Sequence, residues 1–176
     1  MFEAVKKLLI LDRKTNCMKK FAIEFKWAVN FSIASLLWMI VEKSTGLHDV
    51  HIDQYFIYSN VFALVAVGIY FFALLDKKKN FYNNNIDWKQ GFISGIILSF
   101  FIALLSPMVQ YVSFIYISPK YFDHFIAHAV ANKSFTLEQA KAYYSINSYI
   151  LQCVSMALSM GVITSAIVAL VIKTKK

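Results

Sequence analysis

Phe92–Ile117 reads FISGIILSFFIALLSPMVQYVSFIYI, 26 consecutive residues without a charge. As a helix it is about 39 Å long at 1.5 Å per residue, more than the ~30 Å of a bilayer's hydrocarbon core. Its apolar residues do not alternate with polar ones as barrel strands do, and lipid offers no partner to an open backbone, so the stretch is read as a transmembrane helix. Three more follow the same logic: Phe21–Val41, interrupted at its start by Glu24 and Lys26, then Tyr55–Leu75 and Tyr149–Ile172, both uncharged. The chain is 59% hydrophobic, with a mean hydropathy of +0.54. That is too apolar for a soluble domain of 176 residues. The expected fold is all-α, an integral membrane bundle of four transmembrane helices with a helical outer loop.

The net charge of +8 raises the question of nucleic acid, and its placement answers it. Of 18 Lys and Arg residues, 14 fall before or at the start of the first span (Lys26), between spans two and three (Lys77, Lys78, Lys79, Lys89), or after the fourth. Lys43, Lys120, Lys133 and Lys141 lie on the other side. Basic loops stay cytoplasmic, which puts both termini inside and makes the lipid bilayer, not nucleic acid, the expected partner. Cys17 and Cys153 then sit on opposite faces and cannot pair within the chain.

Residues 1–17 read as an optional cytoplasmic extension. Met18-Lys19-Lys20 resembles a translation start, and Phe2, Val5, Leu8 and Leu9 form a possible interfacial stripe. No cleavable leader is evident. Residues 18–176 form a single domain.

Small residues recur every fourth position in span three (Gly91, Gly95, Ser99, Ala103) and in span four (Ala157, Gly161, Ser165, Ala169). Close backbone approach is what associates helices in lipid, so the two stripes are expected to pack on each other or on a second copy. Pro107 bends span three, as a static kink or as a hinge. Glu42, Asn60, Gln110 and Gln152 gather toward the outer side and would line a polar vestibule if they converge. Glu24 reads as an interfacial carboxylate that snorkels to the inner surface. The Lys77–Lys79 and Asn83–Asn85 runs read as a solvated turn.

Between Ser118 and Ser148, Phe122, Phe125, Ile126 and Ala129 recur at helical spacing, and Thr136-Leu137-Glu138-Gln139 matches a capping box. The second of these helices is expected to run directly into span four, and the segment to rest as a lid on the outer surface. His124 and His128 share a helix face. With His48 or His51 they form a candidate metal site, although no metalloenzyme fingerprint accompanies them. No nucleophile elbow, phosphate loop or membrane-embedded carboxylate pair is present, and no cofactor is expected.

Leu36-Leu37-Trp38-Met39-Ile40-Val41-Glu42 with Gly46-Leu47-His48, Gln90-Gly91-Phe92-Ile93-Ser94-Gly95, Tyr116-Ile117-Ser118-Pro119 with Tyr121-Phe122, and the Lys-ended tail from Gly161 resemble a Bacteroidota four-span membrane-protein family, domain of unknown function 4199. The resemblance covers Lys19–Lys176. It implies a four-span inner-membrane fold and carries no catalytic residue over. The functional expectation is a non-enzymatic membrane subunit or scaffold acting through helix association. The alternatives are a small transporter or channel with an outward-facing polar vestibule and an external metal-binding membrane protein.

Overall fold

The computed structural model describes the backbone of residues 2–174 and the side chains from Lys20 to Thr174. The Phe2–Leu9 stripe and Cys17 therefore lie outside the described side chains. Among the described residues, four helical segments are long and apolar enough to cross a membrane: Lys20–Ser44, Ile52–Asn80, Trp88–Ile117 and Ile146–Ile172. No strand occurs among the described residues, and the chain is an all-α membrane protein.

α1 (Phe2–Ser44) stops at Gly46, whose φ of +76° is open to glycine at little cost. Leu47 N–H donates to Glu42 O and Gly46 N–H to Lys43 O, the paired bonds of a Schellman terminator. A 3-10 turn (Ile52–Gln54) leads into α2 (Tyr55–Ser59) and then α3 (Phe62–Asn80). Asn83 and Asn84 turn the chain in the left-handed region, at φ 48° and 64°. Asp87 caps α4 (Trp88–Val112) in a box with Gln90. α4 continues through Pro107 and ends in one wide π turn, Ser113–Ile117.

α5 (Tyr121–Ala131) and α6 (Leu137–Tyr143) follow, with the Thr136–Gln139 capping box formed as expected. α6 does not run into α7 (Ile146–Ile172). Tyr144, at φ −88° and ψ 63°, breaks the helix, and Ser145 caps a new one through Ser148 N–H.

α4 and α7 pack antiparallel along their small residues. A Cβ placed on Gly91 would meet Ala169, one on Gly95 would meet Ser165, and one on Gly161 would meet Ser99. Each step of four along α4 is thus matched by four back along α7. Ala103 is buried, and Ala157 packs against the core at the next rung. The two stripes meet each other within one chain. Tyr70 of α3 closes over the seam, its hydroxyl 2.8 Å from Ser99 Oγ.

One stripe of α1 (Glu24, Ala28, Met39, Glu42) is buried against these helices. The opposite stripe (Asn30, Ile33, Leu37, Ile40) is exposed. At the cap end, Tyr121 and Phe125 of α5 pack with Met39 and Phe114, flanked by Tyr55, Tyr144 and Tyr149. The other, basic end carries Lys77–Lys79.

Candidate functional site

Two buried polar centres occupy opposite ends of the helices. At the basic end, Glu24 and Lys77 face each other. The Lys77 ammonium lies 2.9 and 3.0 Å from the two Glu24 oxygens, and it also donates to the Lys20 carbonyl. Ser94 donates its hydroxyl to Glu24. Both charged side chains are about 97% buried. This corrects two sequence expectations. Glu24 does not snorkel and Lys77 is not in a solvated turn, because α3 runs a turn further than its apolar stretch and the ammonium can neutralise the carboxylate in place. Beside them Asp76 accepts from the Trp27 indole at 2.7 Å and pairs with Lys26.

At the cap end, Glu42 lies on the last turn of α1, and the Schellman turn swings His48 back over it. Glu42 Oε1 accepts from the Trp38 indole at 2.7 Å. His48 Nε2 lies 3.5 Å from Glu42 Oε2, and His48 Nδ1 lies 3.0 Å from Ser118 Oγ. With its proton on Nε2, the ring points a donor at the carboxylate and accepts from the serine hydroxyl. The His124 Nδ1–H donates to the His48 carbonyl at 2.8 Å, and the Lys43 ammonium to the Ile117 carbonyl. Tyr121 meets the His48 ring edge-on at 5.0 Å. The Tyr149 hydroxyl lies 3.1 Å from that of Tyr55 and 3.2 Å from that of Tyr121. Burial first, and then the neighbouring phenols, hold the Tyr121 hydroxyl well above a phenol's ordinary range.

Serine, imidazole and carboxylate in sequence have the parts of a nucleophilic relay. The Ser118 side chain is buried beside the cap. What the relay does here is bind three segments together: the end of α1, the following loop and the start of the cap. His48→Ala leaves Glu42 and Ser118 buried with fewer partners, at about 1–3 kcal/mol. Limited trypsinolysis at Lys133, in the α5–α6 loop, is expected to accelerate in that variant and to stay slow for Asp49→Ala next door.

Of the four vestibule candidates, only Glu42 reaches this centre. Asn60 is exposed and donates to its own helix at the Phe56 carbonyl. Gln152 is exposed and Gln110 half-buried. A separate open cleft of about 340 Å³ lies beside Glu42, between the ends of α1 and α2, with Trp38, His51 and Tyr58 among its walls.

The histidines are dispersed by different partners. His48 takes Glu42 and Ser118, His51 takes the Thr45 carbonyl, His124 takes the His48 carbonyl, and His128 lies near Asp53 and Asn132. No group of three His, Cys, Asp or Glu side chains fit to hold a metal ion occurs among the described residues. In this structure His124, His128, His48 and His51 each contact a different neighbour.

A family model described as Protein of unknown function (DUF4199) matches residues 26–174. The chain belongs to that family. No curated protein and no solved structure matches it. All of the cap-end centre of this DUF4199 chain lies within the matched residues. At the basic end Lys77 and Ser94 lie inside and Glu24 just before. The Glu24–Lys77 pair escaped sequence reasoning, although two opposite charges at the same end of neighbouring spans were the signal for it.

Proposed function

We propose that this chain is a non-enzymatic inner-membrane subunit that acts by helix association, with both termini and Lys77–Lys79 on the cytoplasmic side. The observation that supports it is Asn30. This amide sits mid-way along the first span, on the exposed stripe shared with Ile33, Leu37 and Ile40. The spacing of 3 and 4 residues is that of a helix–helix seam. A carboxamide facing acyl chains is unfavourable, and it is satisfied by another polar group across an interface. An amide both donates and accepts, so the partner it fits best is Asn30 of a second copy.

The small-residue stripes of α4 and α7 are occupied by each other, which leaves α1 as the associating face. Leu37→Cys in native membranes is expected to give a disulfide-linked dimer on mild oxidation, and Leu64→Cys, on the exposed face of α3, none. Asn30→Leu is expected to lower the dimer yield several-fold. A chain that stays monomeric on native gels, with no crosslink at Leu37→Cys, ends this reading. Modification of Lys77–Lys79 by an impermeant reagent from outside the cell would overturn the orientation.

A further inference from the structure

We infer that the cleft at the cap end of α1 is a binding site for a small primary ammonium ion carrying an apolar body. The inference does not rest on the α1 association face.

The argument starts from one oxygen. Glu42 is about 97% buried, yet it contributes to the cleft wall. Its Oε1 has a full hydrogen bond from the Trp38 indole at 2.7 Å. Its Oε2 has only the His48 contact at 3.5 Å, the outer limit of a hydrogen bond. A buried carboxylate oxygen with so weak a partner favours a stronger, charged donor.

The rest of the cleft selects for the same ligand. Trp38 and Tyr58 line the cleft, and aromatic rings attract a cation and an apolar body alike. Val41, Leu47 and Val61 add aliphatic wall. No lysine or arginine lines it. The imidazole of His51, also in the wall, has its Nδ1 engaged by the Thr45 carbonyl at 3.0 Å. A primary ammonium brings N–H donors to the carboxylate, which a quaternary ammonium lacks. The volume of about 340 Å³ falls at the small end of ligand pockets.

The test uses the full chain in phosphatidylcholine nanodiscs, so that the lipid itself does not concentrate cations. Titration calorimetry compares 2-phenylethylammonium with the neutral 2-phenylethanol. Saturable binding of the ammonium, and none of the alcohol, is expected. Glu42→Gln keeps an oxygen for Trp38 but removes the charge, and is expected to weaken binding about tenfold or more. Should Glu42→Gln not fold, Val61→Trp fills the cleft from its exposed edge and is expected to abolish binding. Tetramethylammonium is expected to bind worse than the primary amine.

Equal heats for the ammonium and the alcohol, or wild-type affinity in Val61→Trp, overturn the proposal. Asn30→Leu is expected to bind the ammonium normally, so loss of association and loss of this site are separate results.

Discussion

Lys77→Met is expected to destabilise the protein by about 3 kcal/mol, because it strands the Glu24 carboxylate inside the helices without its counter-ion. That sits at the low end for a broken buried pair, since the Lys20 carbonyl needs no replacement partner. Ser94 still donates to Glu24, but one hydroxyl does not neutralise a charge. The double variant Lys77→Met with Glu24→Gln removes both charges and is expected to recover most of the loss, since a neutral, well-packed pair often equals a buried ion pair. Unfolding in mixed micelles, followed by circular dichroism, measures all four corners of the cycle. Additive losses in the double variant would mean that the two groups do not act as a pair.

The α4–α7 seam carries the second large effect. A methyl group on Gly95 would sit 2.5 Å from Ser165 Cβ and 3.2 Å from Ser165 Cα. The second distance involves backbone, so rotating a side chain does not relieve it. Gly95→Ala is expected to cost about 1–3 kcal/mol by forcing the two helices apart, and Gly95→Leu more. Gly161→Ala meets Ser99 Cβ at 2.6 Å and the Tyr70 hydroxyl at 2.9 Å, with a similar penalty. Gly68 in α3 is the control: a methyl there meets nothing within 4 Å. Gly68→Ala is expected to be neutral or mildly stabilising, by up to about 1 kcal/mol, because alanine loses less backbone freedom in a helix. Thermal aggregation midpoints in detergent rank the four variants.

Much of the fold was legible because a membrane imposes few choices. An uncharged 26-residue stretch has one sensible conformation, and the 4-residue recurrence of small side chains marked the α4–α7 contact. The Thr136 capping box was legible because its chemistry is local. The polar centres were not. Glu24 could snorkel or pair, and the choice depends on whether a cation from another helix arrives at the same depth. Lys77 does arrive, but it sits in a run of three lysines that reads as a solvated flank. Glu42 was singled out by its place at the end of a span. Its partners came from elsewhere: His48 through the turn at Gly46, and Ser118 through the π turn. Asn60 and Gln152, also near span ends, are exposed, since a period of 3.6 turns successive residues in different directions.

The register between α4 and α7 also constrains how the protein is made. Synthesis delivers α4 to the bilayer while its glycine and serine face is still bare, and the cap segment follows before α7 exists to cover that face. During this interval the groove is open to any other helix with small side chains, including α4 of a neighbouring nascent chain. Maturation therefore turns on how soon α7 arrives, and lengthening the α5–α6 connection should raise the fraction of chains that mispair at birth.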